Sequence, residues 1–327
     1  MVQRHTLGAC CLTLTLLAAR LPANSAYDLC SNNIRPDLFL FIAIPSSNPE
    51  RRQAIRHTWK ANSGSIKHGV QHWKTTTGGS AQQTLFFLSD EKQKDRDTQG
   101  EAEAHKDIRF VSMDRRLGQY GVVHMVFHAM EYATSHYTLR FFIKADDDTY
   151  INLPAWLQKL PQLCEDKDHC LKEHLTGGTE VTGWKSMHDD ENSRFNDPDF
   201  AAATGLATYP KYHGGAGYVV SGDIVEAMVA ADTLSGLRFG LHHEDASVGL
   251  WMAGLNVRHF NNSDLRILAQ NHWFWDGNLD ALTSEDACGS DSFLILHPLK
   301  DPNQMVQAHR LAMNCSLQNQ PAIILPL

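Results

Sequence analysis

Four times in the first half of this chain an apolar run is followed by a segment of helical pattern or dense charge. The run 38–44 leads through Pro45-Ser46-Ser47-Asn48 into a helix opened by Pro49 and Glu50, with Asn48 placed to cap it. The run 84–88 precedes the charged segment 91–106, 108–113 precedes the periodic segment 121–133, and 139–145 precedes 153–163. Strand-helix alternation of this kind predicts an α/β fold, a mostly parallel central sheet flanked by helices. In open sheets of that type ligands bind outside the carboxyl ends of the strands.

At one such end stands the triplet Asp146-Asp147-Asp148, directly after the apolar run 139–145. Three carboxylates emerging from a buried strand suit a hard divalent cation, which fills its other positions with phosphate oxygens. A nucleotide diphosphate is the ligand this suggests. The competing reading is an acidic turn solvated after an edge strand. The first is favoured because residues 149–154 pass at once into another ordered element.

The chain has 327 residues, 43% of them hydrophobic, enough for a full core in one large or two small domains. Its formal charge of -8 gives no footprint for nucleic acid, whose binding needs clustered Lys and Arg. No G-x-x-x-x-G-K-[ST], H-E-x-x-H or G-x-S-x-G occurs, which removes the simplest kinase, zinc-protease and serine-hydrolase readings. Arg4, the apolar stretch 7–19 and the small residues Ala23 and Ser25 read as a secretory leader. The stretch falls short of the roughly 20 residues of a spanning helix, so residues 1–26 are expected to be a signal peptide or a short signal anchor. The body, 27–327, is then luminal and is treated as one domain.

Removal of the leader takes Cys10 and Cys11 and leaves Cys30, Cys164, Cys170, Cys288 and Cys315. Cys164 and Cys170 are near enough to pair across a loop, and no C-x-x-C points to zinc or redox chemistry. The sequons at Asn261 and Asn314 agree with a secretory route. After Cys164 the alternation weakens, and Gly, His, Asp and Asn between 176 and 213 read as loops that shape a substrate site. His213-Gly214-Gly215-Ala216-Gly217-Tyr218 is either a close approach of backbone to sugar or phosphate, through Gly215 and Gly217, or a plain turn.

Together with the Asp triplet, the segments 50–59, 209–221 and 244–251 resemble, in order and rough spacing, the β-1,3-galactosyltransferase family to which Fringe-type enzymes are related. The likeness runs from about residue 38 to 305, and the stretch 244–257 looks most like the branch that builds the proteoglycan linker. The resemblance implies a GT-A (Rossmann-like) fold, a UDP-sugar donor, Mn²⁺ dependence and inversion at the anomeric carbon. By motif position it implies Asp148 as the principal metal ligand, Asp146 beside the metal or on the nucleotide, and His297 as the late imidazole ligand. With 18 histidines in the chain, His297 rests on the resemblance. Asp147 and Lys144 fall in the same nucleotide-sugar motif.

Asp245 matches the family's catalytic base, and a carboxylate at a helix start is also favoured by the macrodipole. Glu244 beside it is assigned to the acceptor. Arg52 and Arg56, four apart on the first helix, are placed to face the nucleotide together or to form a solvated basic face. Trp184 is either a platform for a sugar or a packing residue. Two departures stand out. The leader looks cleavable where family members are anchored in the Golgi membrane, so that retention would need a partner enzyme or an uncleaved anchor, and Ala246 replaces a more usual Val.

The function expected is transfer of galactose from UDP-galactose, in β-1,3 linkage with Mn²⁺, to a glycan or glycoprotein acceptor in the Golgi lumen. Transfer of N-acetylglucosamine, a catalytically silent glycan-binding homologue and a metal-dependent phosphohydrolase are the alternatives.

Overall fold

The computed structural model describes residues 35–61, 80–112, 121–165, 170–187, 196–235, 243–261, 265–269, 279–282 and 292–318. The leader with Cys10 and Cys11, Cys30, Cys288, Asn262 and Ser263, and the side chain of Cys315, lie outside the description. Packing divides the chain after Arg35, and every element below belongs to the unit Pro36–Leu327.

β1 (Asp37–Pro45), α1 (Pro49–His57), β2 (Ser80–Ser89), α2 (Arg96–His105), β3 (Ile108–Val111), α3 (Gly121–His136) and β4 (Thr138–Ala145) follow in strand-helix order. Then come β5 (Tyr150–Ile151), α4 (Leu153–Leu163), β6 (Leu175–Val181), α5 (Pro198–Thr204), β7 (Tyr212–Ser221), α6 (Gly222–Ser235) and α7 (Glu244–Met252). β8 (Arg258–Phe260), β9 (Ile267–Ala269), β10 (Ile295–His297) and α8 (Pro302–Gln318) complete the described strands and α-helices. A seven-stranded sheet has the order β3-β2-β1-β4-β7-β6-β8, and a small one the order β5-β10-β9. β1 runs parallel to β2 and β4, while β7 is antiparallel to both its neighbours, β4 and β6. The sheet is mostly parallel and flanked by helices, as the alternation predicts.

β1 is apolar on both faces because both faces are covered. Leu40, Ile42 and Ile44 point into a core with Ile55 of α1, Trp156 and Leu160 of α4, Ile295 of β10 and Met305 of α8. Phe41 and Ala43 point the other way, to Ala129 and Met130 of α3, Val225 of α6 and Val248 of α7. Phe41 stacks on Phe142 of β4 at 5.8 Å between centroids. Each such fully buried side chain contributes about 1.5–3 kcal/mol of transfer free energy, so an alanine at Phe41 would cost about 3–5 kcal/mol.

Local chemistry sets the helix ends. Asn48 caps α1 by accepting from Arg51 N–H at 3.1 Å, with Pro49 at the first helical position. Asn152 caps α4, accepting from Ala155 N–H at 3.4 Å, while its amide donates to the Phe293 carbonyl at 3.1 Å. Cys164, at the end of α4, is disulfide-bonded to Cys170. No helix among the described residues is long and apolar enough to cross a membrane.

The loop reading of 176–213 needs correction at both ends. Residues 176–181 belong to β6, and the glycines of 213–217 lie inside β7. Gly177 looks like a turn residue, but a Cβ there would come within 2.5 Å of Leu265, so the glycine marks close packing.

Candidate active site

Between β1 and β4 the sheet changes the direction in which strands are added: β2 and β3 extend it one way, and β4 starts the other side. A crevice at the carboxyl ends is expected there. From β1 come Ser46 and, at the start of α1, Arg51; from β4 comes the Asp triplet. Ser46 Oγ donates to Asp147 Oδ2 and Arg51 NH1 to Asp147 Oδ1, both at 2.8 Å. Asp147 thus ties the two strand ends across the crevice.

The turn after β4 is held on each side. Thr149 Oγ1 donates to the Ala216 carbonyl of β7 at 2.7 Å, and Leu299 N–H donates to the Asp148 carbonyl at 2.7 Å. The second bond fastens the segment after β10 to the triplet and brings His297 in. His297 Nε2 lies 3.3 Å from Asp148 Oδ1 and 3.8 Å from Asp146 Oδ2. The three residues each offer one donor atom within 4.8 Å of the others. Ligand atoms bonded at about 2.0–2.2 Å to one ion must lie near one another in this way, so two carboxylates and an imidazole fit a divalent metal.

Asp148 is buried at its carboxylate, paired with His297 and with Lys300 Nζ. Burial opposes its charge, but His297 and Lys300 outweigh that and hold it well below the usual carboxylate range. Behind the triplet, buried Lys144 Nζ reaches Asp146 Oδ1 at 2.7 Å, the Gly215 carbonyl at 2.8 Å and Glu244 Oε2 at 2.8 Å. Burial works against this ammonium too, yet Asp146 and Glu244 raise its pKa well above the ordinary lysine value.

Glu244 and Asp245 open α7. Asp245 Oδ2 accepts from Gly215 N–H at 3.0 Å and Oδ1 from Ala246 N–H at 2.9 Å. Burial raises its pKa above the usual aspartate value against the opposing pull of Lys144. A carboxylate in such a place has its proton affinity shifted toward that of a general base.

The sequence reading and the structure part at several residues. Arg52 and Arg56 do not face the acid triplet. Arg52 donates through Nε to Glu101 at 2.8 Å, and Arg56 grips Asp107, just before β3, at 2.9 and 2.8 Å. The reason is the turn of the helix: successive residues of α1 point about 100° apart, so Arg52 faces Glu101 of α2 where Arg51 faces Asp147, and Arg56, one turn on, shares the side of Arg52. The arginine that reaches the site is Arg51, which nothing in the sequence sets apart from Arg52. Glu244 is not an acceptor-facing group, because it is buried with Oε2 on Lys144 and Oε1 accepting from Tyr218 OH.

Gly217 packs against the second sheet, since a Cβ there would lie 2.6 Å from Ile295 Cδ1. Gly215 does border the site, its Cβ position being 3.5 Å from Lys144 Nζ and 3.6 Å from Asp245 Oδ2. Trp184 is exposed on the segment between β6 and β7, where its carbonyl accepts from Tyr209 N–H at 3.0 Å. Ser46, Tyr218 and Lys300 were also missed. A signal for Lys300 existed, three residues after His297.

The model of the family described as Galactosyltransferase matches residues 50–263, more than half of the chain. The chain belongs to that family. His297 and Lys300 lie beyond the matched stretch. Curated relatives include a hydroxyproline O-galactosyltransferase of Arabidopsis thaliana, 24% identical over 69% of this chain and 30% of its own length. A β-1,3-N-acetylglucosaminyltransferase of Mus musculus is 25% identical over 61% of this chain and 47% of its own length. The β-1,3-galactosyltransferase 2 of Homo sapiens is 24% identical over 68% of this chain and 48% of its own length. The chain thus spans half or less of the length of each of these relatives.

Proposed function

We propose that this member of the galactosyltransferase family is an inverting, Mn²⁺-dependent β-1,3-galactosyltransferase that uses UDP-galactose and acts on a glycan or glycoprotein acceptor in the Golgi lumen. The observation that carries it is the convergence of Asp146, Asp148 and His297 at the crevice between β1 and β4, beside Asp245. The galactosyl donor draws support from two of the relatives, and the luminal setting from the leader pattern and the Cys164–Cys170 disulfide.

Asp146, Asp148 and His297 would hold the ion, and an imidazole beside two carboxylates suits Mn²⁺ better than the all-oxygen sets typical of Ca²⁺. When bound, the ion supplies Lewis-acid stabilisation for charge on the diphosphate. In the reaction the acceptor hydroxyl oxygen bonds to the anomeric carbon from the face opposite the diphosphate. The bond from that carbon to the phosphate oxygen breaks, its electron pair leaves with UDP, and attack from behind inverts the centre. Asp245 takes the hydroxyl proton. Its two backbone hydrogen bonds fix its direction, and Lys144, held by three acceptors, keeps Asp146 and the β7 backbone at Gly215 in place.

Transfer of N-acetylglucosamine is the second reading, favoured by the mouse relative. The deciding experiment is a donor screen of the purified protein with Mn²⁺, UDP-galactose and UDP-N-acetylglucosamine against β-galactosides, xylosides and N-acetylhexosaminides. Galactose transfer with inversion is expected. Turnover of UDP-N-acetylglucosamine alone would overturn the galactosyl reading, and no turnover of any donor would favour a binding protein.

A further inference from the structure

Besides Lys144, two cations face the triplet, and they are held differently. Arg51 is engaged with Asp147 at 2.8 Å and stands 4.0 Å from Asp148 Oδ2. Lys300 Nζ contacts that same Oδ2 directly, yet 67% of its side chain is exposed while the Asp148 side chain is 4% exposed. The base from which Lys300 reaches is fixed on both sides. Leu299 is buried and bonded to the Asp148 carbonyl, and Asp301 accepts from Asn303 N–H at 2.8 Å at the start of α8. Lys300 is thus a flexible, solvated ammonium on a rigid backbone, sitting on a carboxylate oxygen that a metal ion would need. Lys144 is the opposite case, enclosed by three acceptors with no room to leave.

A divalent ion and an ammonium cannot both lie against one carboxylate oxygen without strong repulsion. A lysine displaced by the ion has only to turn toward the crevice to meet the anion brought by the donor, and its compact charge with three donors suits phosphate oxygens. Resting on the metal and nucleotide reading of this site, we propose that Lys300 is an exchanged counter-ion. It neutralises Asp148 while the site is free of metal and moves onto the diphosphate once metal and donor are bound. It therefore opposes metal binding and favours nucleotide binding, two effects of opposite sign from one side chain.

The test is calorimetry on the full chain with two titrants, Mn²⁺ alone and UDP in saturating Mn²⁺, for the parent, Lys300→Gln and Lys300→Arg. For Lys300→Gln, Mn²⁺ should bind about threefold tighter, the scale of an exposed ion pair, and UDP about tenfold weaker, the scale of a lost charge-assisted hydrogen bond. Lys300→Arg should return UDP affinity close to the parental value. Unchanged UDP affinity in Lys300→Gln, or Mn²⁺ affinity that is unchanged or weaker, overturns the proposal. Asp148→Ala as a control separates the two readings. If the parent binds Mn²⁺ and Asp148→Ala does not, the metal site stands whatever Lys300 does; if the parent binds no Mn²⁺, the metal reading falls and the exchange falls with it.

Discussion

Two charged clusters meet at α1, supplied by neighbouring residues of one helix, and they are balanced in opposite senses. Arg52, Arg56 and Lys60 converge on Glu101 of α2 and Asp107, cations outnumbering carboxylates, with Arg52 almost wholly buried. Among the described residues of the other cluster, Asp146, Asp147, Asp148, Glu244 and Asp245 face only Arg51, Lys144 and Lys300 as permanent cations. The first cluster is closed, each acid gripped by more than one base. The second is short of positive charge by an amount that one divalent ion would supply, and it opens at the carboxyl ends of the strands. Residue type does not separate the two. Their position relative to the strand ends and the direction of their imbalance do.

Breaking the open cluster should cost function more than stability, whereas breaking the closed one should do the reverse. The largest effect is expected from Asp148→Ala, which should abolish metal-dependent UDP binding by calorimetry while the protein still folds and melts in a cooperative transition. UDP binding as tight as the parent's would remove Asp148 from the metal site.

Asp245→Asn should lower kcat on the order of 10² to 10⁴, the usual loss when a general base is removed, with the UDP dissociation constant retained. Near-parental turnover would pass the role of base to another group. Arg52→Ala should cost about 3 kcal/mol of stability in denaturant unfolding, because it leaves a partly buried carboxylate short of a partner, and UDP affinity of the folded protein should not move. A loss of UDP affinity larger than the loss of stability would return Arg52 to the nucleotide.

The smallest effect is one of pH. Burial opposes the charges of Glu101 and Asp107, but Arg52 and Arg56 on the one and Arg56 and Lys60 on the other outweigh it and lower both pKa values. A depressed carboxylate pKa contributes stability that is present above the unfolded value and is lost as pH falls through the folded one. The loss should therefore begin below the ordinary values of 4.5 and 3.8. Melting curves of the parent and Glu101→Gln across that range should converge as the pH drops, and curves that stay parallel would discount the pairing.

The strand-helix half of the fold was legible because its signals are local. Asn48 announces a helix start by capping within three residues, and β1 and β4 are apolar runs bounded by turns. The acid triplet was legible for the same reason. What escaped depends on partners far along the chain. β6 is rich in polar residues and glycine and becomes a strand through pairing with β7 on one side and β8 on the other. Arg51 and Arg52 are indistinguishable as letters, and only the rotation of a helix whose place is set by the core sends one to Asp147 and the other to Glu101. Glu244 looked accessible because acids at helix starts commonly are, and the lysine that draws it inward sits on another strand.

The hydrogen bond from Leu299 to Asp148, described above as a fastening, also sets an order in time. Asp148 and the Lys300 that pairs with it are 152 positions apart, and His297 reaches the same carboxylate from the end of β10. Contacts that close so long a stretch carry a large entropic cost and form after the local strand-helix units that prepare their place. During folding the triplet therefore exists first with Arg51 and Lys144 as its cations and without His297 or Lys300. It gains its imidazole and the solvated ammonium of Lys300 when β10 docks between β5 and β9. Chemical competence in this molecule is a late product of folding, and a chain interrupted before residue 297 would carry the acids of the site without the ability to use them.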